Sequence, residues 1–394
     1  MAASRPIQAL SLFSGCGGDT LGLERAGFHV IAFSEFNKAA TQTHLANFSG
    51  SVLLEESKSK STDITKIPDA VFEPYKGTAD IVFAGFPCQG FSRAGKKKAT
   101  DPRNQLFQQF VRVARIVRPR FIIGENVTGL EKMKSGPDED DPLMLDIIRE
   151  AFRAIGYEFT YKVLEANQFG VPQKRKRILI VGWDTARVSA FDAASFWASV
   201  AAFGAARALP TMREFVTDSM EGAHQLPTES IPEDFEQYAI PIEEDAEPTG
   251  DPHPFVVLKA RENLLSCSKR DSPIHSEIID LDAPSKTIIC TYDHQPRLLV
   301  GLLKPDGTAY ARCLLPDELK QIQGFPADFE LRGNKKEVVV QIGNAVPPAL
   351  VESVATMLKG MMETAAVPAR AAAPAAAAAV PKKKAGRPKK IPAA

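Results

Sequence analysis

The fold is decided by residues 7–35, which read IQALSLFSGCGGDTLGLERAGFHVIAFSE. The run IQALSLF is typical of a strand, and it leads into a glycine-rich turn, a helical segment and a second strand-like run that ends at Glu35. Backbone N–H groups of Gly15, Gly17 and Gly18 can approach a bound nucleoside closely, and an acid at position 35 can accept hydrogen bonds from ribose hydroxyls. A dehydrogenase, a methyltransferase and an ordinary tight turn all fit this pattern.

Further strand-like runs alternate with helical segments up to residue 184. DIVFAGF, RFIIGEN, TYKVLEA and RILIVGW are short and apolar, whereas QLFQQFVRVARIV carries apolar residues at helical spacing. This alternation predicts an α/β fold, a doubly wound and mostly parallel sheet with helices on both faces. Residues 185–339 are irregular and contain many prolines, which predicts a smaller second domain, and QIGNAVPPALVESVATMLKGMME predicts a loop that enters an amphipathic helix.

The composition is that of a globular protein. The chain has 394 residues, of which 44% are hydrophobic and 24% are charged. No run approaches the roughly eighteen apolar residues of a membrane span, and MAASRP lacks the build of a signal peptide, so we expect an intracellular protein. The five cysteines are far apart and odd in number, so neither a disulfide framework nor a metal site is indicated.

The loop AGFPCQGFSRAGKKK, residues 84–98, carries the strongest chemical signal. It places Cys88 at the carboxyl end of a predicted parallel strand, where open α/β sheets bind their ligands. A lone Cys is usually a small buried apolar residue, but nearby cations lower the pKa of a thiol and favour a nucleophile. The polar and basic residues of this loop are candidates for contact with a phosphate backbone: Ser92, Arg93, Lys96 and Lys97.

Two further segments place polar side chains at strand ends. FIIGENVTGL puts Glu125 and Asn126 at the end of another strand, where a buried carboxyl could act as an acid at a ring nitrogen and Asn126 could equally be a helix cap. In QFGVPQKRKRILIVG, period-two spacing aims Gln173, Arg175 and Arg177 at one face of a strand. Such a face can hold carboxylates, phosphates or a base, although a charged edge strand has the same pattern.

Taken together, the ordered motifs resemble those of the DNA (cytosine-5)-methyltransferases. The motifs are Phe-Ser-Gly-Cys-Gly-Gly, Gly-Phe-Pro-Cys-Gln, Glu-Asn-Val, Gln-x-Arg-x-Arg, Gln-Gly-Phe-Pro and Gln-Ile-Gly-Asn-Ala-Val-Pro-Pro. The resemblance runs from residue 7 to about 360 and is weak only between about 185 and 283. It implies an S-adenosylmethionine-dependent methyltransferase fold of the Rossmann-like kind, with a smaller, irregular target-recognition domain.

The resemblance also implies the reaction. Cys88 would add to C6 of cytosine, and Glu125 would donate to N3 so that C5 attacks the methyl group of S-adenosylmethionine. Arg177, and Arg175 beside it, would orient Glu125 and the base. Gln173 and Asn126 belong to the same motifs and are implied as further catalytic-site residues. Because stacking hides C6 in a duplex, the cytosine must be flipped out of the helix.

The cofactor pocket follows from the same resemblance. Thr62 stands where the family usually has Gly before the acid of the adenine motif. Thr287 would contact the DNA backbone. The implied cofactor residues are Phe13, Gly15, Cys16, Gly18, Glu35, Asp63, Ile64, Pro87, Leu106, Asn344 and Ala345.

The resemblance gives the domain organisation as well. Residues 1–184 would form the catalytic domain, completed by residues 340–363, and residues 185–339 would recognise the target. Residues 364–394 are an Ala-, Pro- and Lys-rich segment that predicts a disordered basic tail. KKKAGRPKK in it resembles an AT-hook, with Arg387 in the minor groove of A·T-rich DNA, and a nonspecific basic tail is the alternative.

Three other functions compete with this interpretation. A tRNA cytosine-5 methyltransferase would share most motifs, but the Cys-Phe-Thr signature of that branch is absent from the sequence. A DNA-binding relative without turnover would not need Cys88, Glu125 and Arg177, and a nicotinamide-dependent dehydrogenase would explain only the glycine turn and Glu35. We therefore expect a monomeric prokaryotic or phage-encoded enzyme that acts on double-stranded DNA in the cytoplasm, with a cognate restriction endonuclease as a further candidate partner.

Overall fold

A computed structural model describes residues 5–87, 106–136, 138–228, 231, 234–252, 259–261, 264–266 and 277–364, with only the backbone of residues 259–261, 264–266 and 364. Its strands are β1 (Gln8–Leu12), β2 (His29–Ser34), β3 (Val52–Leu53), β4 (Ile81–Ala84), β5 (Phe121–Val127), β6 (Tyr157–Glu165), β7 (Gln173–Lys174), β8 (Lys176–Asp184), β9 (His224–Gln225), β10 (Ala239–Pro241), β11 (Lys259–Arg261), β12 (Leu264–Ser266), β13 (Glu277–Ile278), β14 (Ser285–Lys286), β15 (Leu298–Leu303) and β16 (Ala309–Cys313). The helices are α1 (Gly18–Arg25), α2 (Lys38–Asn47), α3 (Phe107–Val117), α4 (Met144–Arg153), α5 (Ala193–Ala205), α6 (Phe235–Tyr238), α7 (Pro316–Ile322), α8 (Lys335–Asn344) and α9 (Pro348–Thr364).

The larger sheet has seven strands in the order β3-β2-β1-β4-β5-β8-β6. Strands β1 to β5 pair in parallel, whereas β8 runs antiparallel to both β5 and β6. Too few residues separate β6 from β8 for a crossover helix, so the chain reverses and β8 enters the sheet antiparallel. The predicted doubly wound, mostly parallel α/β fold is confirmed.

Side chains along the central strands point alternately into two separate hydrophobic cores. Leu10, Val82 and Ile122 point to the layer that contains α3 and α4, whereas Ala9 and Phe83 point to the layer of α1, α5 and α9. This alternation is the strand period of two, with both faces covered by helices. The result is a three-layer domain whose strands are buried on both sides.

Helix α9 returns from the far end of the chain to complete the second core. It packs on α1 closely because Gly22 has no side chain: a Cβ there would overlap the Pro348 carbonyl and the Val351 side chain. The segment Lys335–Glu363 is apolar enough to cross a membrane by length and composition, yet 78% of its apolar window is buried inside the protein. That burial is typical of a core helix.

The smaller domain is built around a second sheet, in the order β10-β15-β16-β9, with β13 paired to β15. This region is more regular than its prolines suggest, because β15 and β16 form a buried antiparallel pair of apolar strands. A buried ion pair between Arg312 and Glu318, at 2.7 Å, ties β16 to α7. Helix α5 packs in the core of the larger domain, so that core extends beyond the boundary expected at residue 184.

Candidate active site

Four adjacent strands, β2, β1, β4 and β5, end at one edge of the larger sheet. Because they are parallel, the segments after their carboxyl ends lie side by side there. The glycine-rich turn follows β1, Glu35 follows β2, Gly85 follows β4, and Glu125 lies near the end of β5. The sheet therefore brings together residues that the sequence predicted as site residues from separate motifs.

The turn after β1 is tied to the acid after β2. The Gly15 N–H donates to Glu35 Oε2 at 2.8 Å, and the Asn37 N–H donates to Glu35 Oε1 at 2.7 Å. Burial raises the pKa of Glu35, and the backbone donors of Asn37, Gly15 and Phe36 oppose that rise. Gly15 has φ +55°, and a Cβ added to it would meet no atom within 4 Å, so the turn opens onto free space there. Phe13, at φ 56°, begins the same turn.

The other glycine of the cofactor prediction has a different environment. A Cβ on Gly18 would overlap the Val346 carbonyl oxygen, so this glycine permits close packing against the turn between α8 and α9. Cys16 is also turned inward: it is 1% exposed and lies 3.8 Å from the Gln341 carbonyl. Burial raises the pKa of the Cys16 thiol to about 12. The side of the turn that faces open space is therefore formed by Gly15, and Gly18 and the Cys16 thiol face the protein.

The predicted adenine-binding residues lie in a turn beside α3. Asp63 Oδ1 accepts hydrogen bonds from the N–H and the hydroxyl of Thr65, at 3.1 and 2.8 Å. Ile64 is buried, and its carbonyl accepts a 2.8 Å hydrogen bond from Arg112 Nη2. Leu106, the residue before α3, is half-buried.

Phe36 was not among the site residues predicted from the sequence. Its side chain is 77% exposed, although it directly follows the buried Glu35. A large aromatic ring at the edge of a nucleoside site offers a face on which a purine can stack. The sequence feature that could have predicted it is an aromatic residue directly after Glu35, the acid that follows β2.

At the end of β5, Glu125 forms a buried ion pair. Arg177 Nε lies 2.9 Å from Glu125 Oε1, and both side chains are 13% exposed. In the sheet Val127 pairs with Arg177, so Arg177 is the diagonal neighbour of Glu125 on the same face. Because β8 is antiparallel, its first residues lie at the edge where the parallel strands end. A parallel strand in this position would have placed Arg177 at the opposite edge.

The electrostatics of this pair set its chemistry. Burial raises the pKa of Glu125, and the charges of Arg177 and Arg175 oppose that rise. Burial likewise lowers the pKa of Arg177, while Glu125 opposes that fall. The second oxygen, Glu125 Oε2, lies 3.7 Å from the position that a Cβ on Gly85 would take, so Gly85 lies directly beside the carboxyl. The pair thus holds a carboxyl that can carry a proton beside the loop that leads to Cys88.

Asn126 acts on that same loop. Its Nδ2 donates to the Phe86 carbonyl at 2.8 Å, and its Oδ1 accepts from the Val127 N–H at 2.9 Å. Phe86 and the half-buried Pro87 lead directly to residue 88. The described residues do not include Cys88 or the loop residues Ser92, Arg93, Lys96 and Lys97.

Gln173 and Arg175 do not share a face with Arg177. Strand β7 pairs with β14, whereas β8 pairs with β5, so residues 173–177 do not form one continuous strand. The alternation of side chains between two faces is therefore interrupted at Arg175. Arg175 is 1% exposed and donates to main-chain carbonyls of Ile288, Gly343 and Ala345 rather than to the Glu125 carboxylate. Gln173 is buried beside it, so both side chains join segments of the two domains.

The remaining predicted residues lie near the contacts that Gln173 and Arg175 make between the two domains. Asn344 is exposed at the end of α8, while Ala345 is buried. Thr287 follows β14 and is partly exposed, and its hydroxyl donates to the Lys174 carbonyl at 2.8 Å. Arg387 lies outside the described residues.

Comparison with known proteins decides the family. The family model of the C-5 cytosine-specific DNA methylases matches residues 7–360, which include the glycine-rich turn, the ion pair of Glu125 and Arg177, and most of helix α9. The chain belongs to the C-5 cytosine-specific DNA methylase family. A dehydrogenase is thereby excluded, and the resemblance drawn from the motifs is confirmed.

Similar proteins match most of the length of this methylase. It is 31% identical to the type II methyltransferase M1.HphI of Haemophilus parahaemolyticus, over 88% of this chain and 85% of that one. It is 28% identical to the type II methyltransferase M.BsuFI of Bacillus subtilis, over 89% and 72% of the two chains. These matches span both domains of the methylase.

Solved structures share the fold. A protein encoded within an E. coli prophage matches with a TM-score of 0.62 at 22% identity, over 91% of this chain and 99% of that one. The Dnmt2 methyltransferase of S. pombe matches with a TM-score of 0.58 at 16% identity, over 91% and 98%. At these identities the likeness supports the architecture alone.

The packing of the turn after β1 yields a stability prediction. Gly18→Ala should lower the free energy of unfolding by more than Gly15→Ala, because only the first places a Cβ against a backbone carbonyl. Gly15→Ala should cost about 1 kcal/mol through its left-handed backbone, with no clash. Urea unfolding of both variants without cofactor measures the difference. Equal losses, or a larger loss for Gly15→Ala, would contradict the packing assigned to Gly18.

Proposed function

We propose that this methylase transfers a methyl group from S-adenosylmethionine to C5 of a flipped cytosine in a specific duplex sequence, through a covalent bond between Cys88 Sγ and C6. The observation that carries the proposal is the buried pair of Glu125 and Arg177. It lies beside Gly85, three residues before Cys88 in the sequence. Geometry of this kind suits an acid that must meet one edge of a base.

The roles of the residues follow from the chemistry of cytosine. The Cys88 thiolate adds to C6, and Glu125 gives a proton to N3, so that the ring electrons gather at C5. Arg177 holds Oε1 and fixes the direction of the carboxyl, which leaves Oε2 to meet the base. When bound, S-adenosylmethionine supplies the electrophilic methyl group. The C5 proton is then lost to a solvent base, the C5–H electrons form the C5–C6 double bond as the C6–S bond breaks, and N3 returns its proton to Glu125.

The residues at the edge of the sheet fit the cofactor. The open space beside Gly15 accommodates a ligand against backbone N–H groups, and Glu35 is placed to accept hydrogen bonds from ribose hydroxyls. Phe36 offers an exposed ring for the adenine. Asp63 and Ile64 are proposed to belong to the same pocket. Phe13, Pro87, Leu106, Asn344 and Ala345 complete the proposed set, to which Gly18 and Cys16 contribute through the shape of the turn.

Double-stranded DNA is the proposed partner. Thr287 would meet the backbone, together with Ser92, Arg93, Lys96 and Lys97, and Arg387 would enter an A·T-rich minor groove. We place the catalytic domain at residues 1–184 with 340–363 and the target-recognition domain at 185–339, with α5 packed on the former. The named relatives are type II methyltransferases. A monomeric enzyme with a cognate restriction endonuclease is part of the proposal.

The most direct test is transfer of labelled methyl from S-adenosylmethionine. Unmethylated duplex DNA and unmodified tRNA are offered in parallel, and the DNA is then sequenced at base resolution for modified cytosines. We expect label in DNA at one short repeated context and none in tRNA, since the family model is that of DNA methylases. Label in tRNA alone would establish the alternative substrate, and label in neither would contradict the proposed activity.

Glu125→Gln tests the acid. The amide keeps the size and the partner Arg177 but cannot give a proton to N3, so kcat should fall by about 10²–10⁴-fold with little change in DNA affinity. In the wild type, kcat should decline as the pH rises through the raised pKa of Glu125, because the protonated carboxyl is the active form.

Glu158→Gln serves as the matched control, because Glu158 pairs with Arg153 on the surface, away from the site. Its activity and pH profile should equal those of the wild type. An alkaline decline that persists unchanged in Glu125→Gln would show that a different group carries the proton.

A further inference from the structure

A buried chain of side-chain amides joins two backbone segments that are distant in sequence. The Ile288 N–H donates to Gln173 Oε1 at 3.0 Å, and Gln173 Nε2 donates to Gln323 Oε1 at 2.7 Å. Gln323 Nε2 then donates to the Ala345 carbonyl at 2.6 Å. Both glutamines are 0% exposed, so these bonds are made away from water.

The backbone groups at the two ends of this row of hydrogen-bonded amides fix the orientation of both amides. Ile288 offers an N–H to Gln173, and Ala345 offers a carbonyl to Gln323. Turning either amide around would set two donors or two acceptors against each other in a buried place. Hydrogen bonds aligned head to tail also strengthen one another. The residue at position 323 must therefore accept at one end and donate at the other.

Arg175 bridges the same two segments a second time. Its Nη1 donates to the Ile288 carbonyl at 2.8 Å, and its Nη2 donates to the Gly343 and Ala345 carbonyls at 2.7 and 3.0 Å. The segments also touch directly, because a Cβ on Gly343 would overlap the backbone of Cys290. Close-packed segments of this kind transmit a displacement rather than absorb it.

The joined segments carry different parts of the proposed site. Ile288 follows Thr287, which is assigned to the DNA backbone, and Ala345 follows Asn344, which is assigned to the cofactor. We propose that Gln323 is a positioning residue that couples these two segments, so that occupancy of the cofactor site tightens DNA binding. This inference rests on the proposed function, because both end points are assigned there. Coupling between two binding sites is reciprocal, so DNA tightens cofactor binding by the same factor.

The coupling is measured as the ratio of two DNA dissociation constants. Fluorescence anisotropy gives the Kd for a duplex with the recognition sequence, with and without saturating S-adenosylhomocysteine, the demethylated product. In the wild type the product should tighten DNA binding by at least about fivefold, and in Gln323→Met by less than about twofold. Gln341→Met is the matched control, since Gln341 is another buried amide that donates to a carbonyl, that of Arg332, outside this chain of bonds.

Gln323→Glu separates positioning from a merely structural role. A protonated carboxyl accepts from Gln173 and donates to Ala345, as the amide does, whereas a carboxylate presents a second acceptor to the Ala345 carbonyl. Burial disfavours the charged form of the introduced carboxyl and raises its pKa, whereas the Arg175 guanidinium, which donates to the same Ala345 carbonyl, opposes that rise. Coupling in this variant should equal that of the wild type at low pH and disappear as the pH rises through the pKa of the introduced carboxyl. The wild-type factor should stay constant over the same pH change.

The outcomes divide cleanly. A wild type that transfers methyl but shows no coupling, or a Gln323→Met variant that keeps it, overturns the inference and leaves the proposed function standing. A wild type that binds neither ligand overturns the proposed function itself. If Gln323→Met does not fold, the pH profile of Gln323→Glu decides, because a coupling factor independent of pH is incompatible with the proposed hydrogen-bond chain.

Discussion

The site depends on one buried ion pair, between Glu125 and Arg177. Two charges withdrawn from water are stable only when each has the other as a partner, so the geometry of this pair is tightly constrained. The larger sheet meets the constraint through the direction of a single strand. Strand β8 runs against its neighbours, which brings Arg177 to the edge where β5 delivers Glu125. Burial thereby raises the pKa of the carboxyl, while Arg177 fixes its direction.

The surroundings of the pair come from three distant parts of the chain. Asn126 holds the Phe86 carbonyl and so directs the start of the loop that contains Cys88. Arg175 and Gln323 hold the turn after α8 against the segment after β14, which belongs to the smaller domain. On the other side, Glu35 holds the glycine-rich turn through the Gly15 N–H. Each of these contacts uses a backbone group, so each fixes the path of a loop rather than the position of one side chain.

Much of this architecture could be predicted from the sequence, because it follows from periodicity and motif order. The strand ends that carry Glu35 and Glu125 were predicted from apolar runs, and the family from six ordered motifs. The sequence could not separate Gly15 from Gly18, since only the folded backbone shows that one faces open space and the other a carbonyl. Nor could the sequence distinguish the position of Arg175 from that of Arg177. A two-residue spacing places both on one face only if they belong to one continuous strand, and here the strand partner changes between β7 and β8. Phe36 was overlooked because exposure is a property of the fold.

The central claim is that Cys88 forms a covalent bond to a cytosine held by Glu125. A duplex with 5-fluorocytosine at the target position tests it most directly, because fluorine cannot leave as the C5 proton does and the bond to the protein therefore persists. With S-adenosylmethionine present as the methyl donor, intact mass spectrometry followed by peptide mapping should find one methylated base linked to Cys88, with no such complex in Cys88→Ser. A link to another cysteine, such as Cys290, or methyl transfer without any covalent complex would contradict the account.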